Sequence, residues 1–194
     1  MEKVVIIEYG AGNLFSVEMA VRRLGYEVAC SADAEVIRAA DKVIFPGVGQ
    51  AAAAMRQLKE GGLDTVISSL RVPVLGICLG MQLMCEASDE GNTDGLGIFP
   101  VRVRKFGYES KVPHMGWNGI RELGSPLFAG VNEGERVYFV HSYYVPVCEN
   151  TIAVCDYQRE FSAAIRKDNF WGCQFHPEKS AETGARILEN FLKW

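Results

Sequence analysis

The chain has no CxxC pair, no long apolar run and just three histidines, His114, His141 and His176. Each shortage removes a class of function. The six cysteines, at positions 30, 78, 85, 148, 155 and 173, are scattered, so they suggest neither a zinc knuckle nor a disulfide framework. They read as reduced cytosolic thiols, five of them small hydrophobes of a core. No stretch approaches the roughly 20 apolar residues that cross a bilayer. Met1-Glu2-Lys3 leads straight into Val4-Val5-Ile6-Ile7, without the length or small-residue cleavage site of a signal peptide. A cytoplasmic protein with no membrane contact is expected.

Basic charge is also scarce. The net charge is −4 and no stripe concentrates the 20 Lys and Arg, which argues against nucleic acid as a partner. Arg102, Arg104 and Lys105, the densest basic cluster, read as a solvated strand face. Internal repeats, low-complexity tracts and linkers are missing. So is a full GxGxxG fingerprint: Gly10-Ala11-Gly12 is followed by Phe15 where the last glycine would stand, which weakens any dinucleotide-binding reading.

What remains is a globular composition, 48% hydrophobic and 23% charged over 194 residues. One domain spanning 1–194 is expected, long enough to bury about 70% of its unfolded surface. Val4 to Ile7 is a β-branched run of the kind covered on both faces. Gly10-Ala11-Gly12-Asn13 breaks it, and Leu14 to Leu24 follow at helical spacing. Glu27 to Cys30 reads as a strand, and Asp33 to Ala40 as a helix capped by Asp33. Lys42 to Phe45 is a strand stopped by Pro46-Gly47, then an alanine-rich helix starts at Gln50. The apolar run Val72-Pro73-Val74-Leu75 leads into Gly76-Ile77-Cys78-Leu79-Gly80.

Strands alternating with helices predict an α/β fold, a doubly wound, mostly parallel sheet flanked by helices. Sites in such sheets lie beyond the carboxyl ends of the strands, where Gly10 to Asn13, Pro46-Gly47-Val48-Gly49 and Cys78 all fall. From about residue 96 the pattern changes to short strands at 101–104, 137–140, 152–155 and 161–165. These predict antiparallel strands added to the first sheet or a small flanking sheet. A closing helix fits Ala181 to Lys193, with Ser180 as N-cap and Ile187, Leu188, Phe191 and Leu192 as its apolar stripe.

The chemistry centres on Cys78. Glycines two before and two after it predict a tight strand-to-helix elbow that lets backbone approach a substrate, with Met81 to Cys85 as the first turns of the helix. Helix amides aimed at the sulfur would favour the thiolate. A cysteine nucleophile needs a base and a group to orient it. His176 stands at a strand end before Pro177, and Glu178 falls on the same face by alternation. Cys78, His176 and Glu178 thus predict a triad, with His141 structural rather than a second base. The Leu79 amide is the expected first oxyanion donor, and the Gly47-Val48-Gly49 backbone a second. Gln82, one turn along the helix, could reach a polar substrate group.

Pro46-Gly47-Val48-Gly49, Gly76 to Gln82 and Phe175-His176-Pro177-Glu178-Lys179-Ser180 together resemble the triad class of glutamine amidotransferases, over nearly the whole chain. Within that class, PGVG, Glu8 to Asn13, Pro113-His114-Met115-Gly116-Trp117-Asn118 and Tyr138-Phe139-Val140-His141-Ser142-Tyr143 are similar to the glutaminase subunits of imidazole glycerol phosphate synthases. That resemblance implies that Cys78 attacks the side-chain amide of glutamine, with His141, Ser142 and Tyr143 near the substrate. It implies a partner, a (β/α)8-barrel cyclase subunit that receives ammonia in histidine biosynthesis. Met115, Trp117 and Asn118 would meet that partner, and Tyr138 and Lys179 would line the ammonia passage. Neither metal nor organic cofactor is implied.

Overall fold

Buried β-branched runs build the middle of the molecule. The computed structural model describes residues 2–10, 13–107 and 111–194. Ala11 and Gly12 of the expected glycine turn lie outside them. The first half alternates β1 (Val4–Ile7), α1 (Leu14–Arg23), β2 (Val28–Ser31), α2 (Ala34–Arg38), β3 (Lys42–Gly47), α3 (Ala51–Glu60), α4 (Leu63–Ser69) and β4 (Val74–Cys78). Then follow α5 (Leu79–Leu83), β5 (Cys85–Ser88), β6 (Thr93–Asp94), β7 (Phe99–Lys105), β8 (His114–Gly119) and β9 (Arg136–His141). The chain closes with β10 (Tyr143–Tyr144), β11 (Thr151–Tyr157), β12 (Arg159–Lys167), β13 (Phe170–Cys173) and α6 (Ala181–Lys193).

The central sheet has seven strands in the order β11-β12-β13-β4-β3-β1-β2. Its β13, β4, β3, β1 and β2 run parallel to one another, while β11 and β12 extend it as an antiparallel edge. The late strands therefore do both things the sequence allowed. They lengthen the first sheet, and they form a four-stranded sheet β10-β7-β5-β6 and the hairpin pair β8-β9. Asp33 caps α2 as expected, accepting from the amides of Glu35 and Val36. Arg102 of the basic cluster is paired with Asp89 at 2.8 Å.

Several boundaries differ from expectation for physical reasons. Pro46 and Gly47 do not stop β3. They stay in the ladder, opposite Ile77 and Cys78. On its other side the pairing with β1 ends at Ile44, so the missing proline N–H breaks no bond there. The alanine-rich helix is two helices, because Gly62 at φ 67° turns the chain between α3 and α4. Cys85, expected on the elbow helix, opens β5 instead. Ser180 precedes α6 without capping it. Its hydroxyl donates to the His176 carbonyl at 2.6 Å and accepts from the Tyr138 amide at 2.9 Å.

Apolar layers cover both faces of the sheet. The expected stripe of α6, Ile187, Leu188, Phe191 and Leu192, is buried on one of them, at about 1.5–3 kcal/mol per side chain. Arg166 of β12 lies over the rings of Trp171 and Trp194, 4.7 and 4.8 Å from their centroids.

Candidate active site

Cys78 is the last residue of β4 and the turning point into α5, with φ 53° and ψ −111°. A side chain in that region costs about 1–3 kcal/mol and persists only where neighbours hold it. The flanking glycines permit the tight turn expected of them. A β-carbon on Gly80 would lie 1.8 Å from the Phe45 carbonyl oxygen, and one on Gly76 2.8 Å from the Met81 amide nitrogen. They let α5 lie against β3 and β4.

A cleft of about 340 Å³ opens over the sulfur, lined by Val48, Gly49, Cys78, Leu79, Gln82, His141, Ser142, Tyr143 and His176. Gly47 lies beneath it, paired with Cys78 in the ladder. Glu90, Pro113 and Val140 complete the lining; the last two stand in segments that carry the resemblance, and nothing in the sequence marked Glu90.

His176 comes to the cleft because β13 pairs with β4, Cys173 opposite Ile77. The chain leaving β13 therefore emerges beside the elbow, where the His176 amide donates to the Tyr138 carbonyl at 2.9 Å. His176 Nδ1 and Glu178 Oε1 are 2.8 Å apart, both side chains almost fully buried. The contact arises by a different route from the expected strand alternation: Pro177–Lys179 is a tight helical turn, and it folds the carboxylate back onto the ring. His176 Nε2 is buried without a hydrogen-bond partner among the described residues. Burial disfavours a charged ring, but the Cys78 sulfur and the Glu178 carboxylate outweigh it and raise the His176 pKa to about 10. A ring held this way can take a thiol proton and keep it as an imidazolium.

Around the sulfur, Gln174 Nε2 donates to Cys78 Sγ at 3.6 Å, and the Val140 carbonyl lies 3.9 Å away. Gln174 is fully buried and was overlooked, although it stands two residues before His176. Gln82 Nε2 donates to the Tyr143 carbonyl at 3.0 Å and to Gln174 Oε1 at 2.8 Å. Its nitrogen is thus engaged within the protein, and its carbonyl end is what it offers the cleft.

His141 lines the cleft, but both ring nitrogens are occupied. Nδ1 lies 2.7 Å from the Tyr143 carbonyl and Nε2 3.1 Å from His114 Nδ1. Burial lowers the pKa of His141 to about 3 and of His114 to about 4, so both are neutral near pH 7. Burial also pushes the thiol of Cys155 up to about 12, and those of Cys85 and Cys173 far above their ordinary value. None of these three is a thiolate at neutral pH.

On β8 the side chains alternate. Met115 and Trp117 are 62% and 48% exposed. Trp117 stands opposite Tyr138 of β9, with the ring centroids 6.1 Å apart. Lys179 is exposed on the turn after His176. Asn118 faces the other way and donates to the Asp156 carbonyl at 2.9 Å, so its side chain is not offered with Met115 and Trp117. Among the described residues no cluster of three or more His, Cys, Asp or Glu could hold a metal ion, and no helix is long and apolar enough to cross a membrane.

The family model for class-I glutamine amidotransferases matches residues 5–194. The chain is 60% identical, over 98% of its length and 99% of the relative's, to imidazole glycerol phosphate synthase subunit HisH of Bacteroides fragilis. It is 58% identical, over 98% of each chain, to the protein of the same name from Bacteroides thetaiotaomicron. A solved structure described as a glutamine amidotransferase shares the fold. It superposes with a TM-score of 0.76 at 17% identity, covering 97% of each chain. The match along nearly the whole length shows that the chain belongs to the class-I glutamine amidotransferase family.

Proposed function

We propose that this chain is the glutaminase subunit of imidazole glycerol phosphate synthase, an enzyme of histidine biosynthesis. It hydrolyses glutamine in the cytoplasm and passes the ammonia to a (β/α)8-barrel cyclase subunit. One observation carries the reading: a thiol on a strained elbow shares a cleft with a histidine whose far nitrogen is bound to a buried carboxylate. The 60% identity to a HisH subunit supports the pathway and the partner.

In the proposed reaction the Cys78 proton passes to His176 Nε2 and the thiolate attacks the side-chain carbonyl carbon of glutamine. Charge on the carbonyl oxygen is met by the Leu79 amide and by the backbone of Gly47, Val48 and Gly49. As the C–N bond breaks, His176 returns the proton to the leaving nitrogen, which departs as ammonia. His176 then takes a proton from water, and the hydroxide attacks the thioester. The C–S bond breaks with its electron pair on sulfur, glutamate leaves, and the thiol is restored. Glu178 keeps Nδ1–H of His176 in place and balances the imidazolium.

The amino-acid end of glutamine carries an ammonium and a carboxylate. Glu90, the acidic residue lining the cleft, suits the ammonium, and Gln82, Ser142 and Tyr143 supply polar contacts. Met115 and Trp117 provide the exposed apolar groups that dominate docking, with Tyr138 and Lys179 lining the ammonia passage. Glutamine would be wasted without a partner. The Val48–Gly49 peptide therefore becomes a competent oxyanion donor when the cyclase and its nucleotide ligand bind.

The test is glutamine hydrolysis by this chain alone, then with a cyclase barrel, then with the barrel and its nucleotide ligand. Slow or no turnover alone and strong stimulation in the complex is expected, with Cys78→Ala abolishing turnover but not partner binding. Full activity of the lone chain would overturn the regulated oxyanion peptide, and no turnover in any state would overturn the function.

A further inference from the structure

We propose that Gln174 is a further catalytic residue, whose side-chain N–H donates to Cys78 Sγ and solvates the thiolate that attacks glutamine and later leaves the thioester. The proposal rests on Cys78 being the glutaminase nucleophile. Its basis is the orientation of one amide. The Tyr143 carbonyl can only accept, so the Gln82 atom 3.0 Å from it is nitrogen. That nitrogen also sits 2.8 Å from Gln174, so the facing Gln174 atom is its oxygen. The Gln174 nitrogen is then the atom 3.6 Å from the sulfur.

Everything around this amide keeps it in place. Gln174 is fully buried, and its backbone N–H donates to the Ala163 carbonyl at 2.8 Å. The Tyr143 carbonyl that sets the orientation also takes the Nδ1–H of His141. The other neighbour of the sulfur is the Val140 carbonyl at 3.9 Å, a partner for the thiol proton but not for a thiolate. His176 changes from acceptor to donor during the cycle and gives its proton to ammonia. The Gln174 N–H is a donor to sulfur that no step consumes. When the thioester C–S bond breaks, the pair returns to sulfur in front of the same N–H.

The experiment uses Gln174→Met, which removes the donor at similar size, and Gln174→Glu. The second keeps an oxygen for Gln82, and burial beside the sulfur holds it as a neutral acid whose O–H can still donate. In the full chain, alkylation of Cys78 by iodoacetamide at pH 7 is followed by mass spectrometry. In the complex with the cyclase barrel, kcat and KM for glutamine are measured per alkylatable site. A lost hydrogen bond to a charged group predicts alkylation and kcat lowered about 10–100-fold in Gln174→Met, less in Gln174→Glu, with KM nearly unchanged in both. A packing role alone would lower the folded fraction and leave both rates per site intact. Wild-type alkylation and kcat in Gln174→Met would overturn the proposal. A wild-type complex without glutamine turnover would overturn the glutaminase reading instead, and the alkylation rates would still judge the amide–sulfur contact.

Discussion

His114 Nδ1 faces His141 Nε2 across 3.1 Å, and the Tyr143 carbonyl beyond fixes both tautomers. His141 gives its Nδ1–H to that carbonyl, so its Nε2 must accept from His114. A proton added to His141 sets two N–H groups face to face, and one added to His114 goes to Nε2, against the Asn118 side-chain amide 3.5 Å away. Their folded pKa values, about 4 and about 3, lie below the ordinary 6.5. The unfolded chain therefore takes up protons first. The stability these rings contribute is present above pH 6.5 and is lost as pH falls through their folded values. Urea midpoints should fall steadily from pH 6.5 toward pH 4. His141→Gln should be weaker at pH 7 but lose less on acidification.

His176 has the opposite sign. Its folded pKa of about 10 exceeds the ordinary 6.5, so its contribution is complete below pH 6.5 and disappears as pH rises through the folded value. Cys78→Ala removes one of the groups that hold the charge. The alkaline loss of urea midpoint should then begin at lower pH than in the unaltered chain.

Glu178→Gln retains a hydrogen-bonding side chain on His176 Nδ1 but removes the negative charge. Loss of about 10²–10⁴-fold in kcat is expected, with little change in partner affinity. Steady-state kinetics of the complex and a binding titration check the two halves separately.

Gly80→Ala places a methyl group where the Phe45 carbonyl oxygen already lies, 1.8 Å away. Backbone cannot step aside as a flexible side chain does, so a loss of about 3 kcal/mol is expected, with the elbow displaced. Gly61→Ala is the control. Its nearest neighbour, the Gln57 carbonyl oxygen, would be 3.5 Å away, and its urea midpoint should barely move.

Trp117→Ala should weaken cyclase binding by about 2 kcal/mol, roughly 30-fold in Kd. Trp117 is 48% exposed, so the lone chain should keep its urea midpoint. Calorimetric titration with the barrel measures the first effect and denaturation the second.

The meeting of Cys78, His176 and Glu178 at one cleft was legible because each part has a local sign: an apolar run into Gly-x-Cys-x-Gly, and His-Pro-Glu at a strand end. The parallel core was legible because strands covered on both faces read as unbroken β-branched runs. Pro46 was misjudged because its cost depends on which neighbour it lacks, and that is decided by where β1 ends. Gln174 was invisible for a related reason. A buried glutamine has meaning only through the Gln82 and Cys78 side chains it touches, both far away in sequence. Asn118 was grouped with Met115 and Trp117 as one segment, although a strand sends adjacent residues to opposite sides. The sheet containing β5 and β6 gave too short a pattern to read, since β6 is two residues long.

The Cys173–Ile77 register gives the site a built-in ruler. Neighbouring strands sit about 4.8 Å apart, so the spacing of Cys78 and His176 is inherited from the hydrogen-bond ladder and is as stiff as the sheet itself. Gly47 opposite Cys78 is the last rung on the other side, and Val48 and Gly49 continue past it along the cleft. The machinery thus divides at one peptide bond into a part that cannot be tuned without unzipping strands and a part that a docked partner could turn like a tap. If the proposed glutaminase reading holds, evolution could change how tightly ammonia release is governed by editing the free end alone, without touching Cys78, His176 or Glu178.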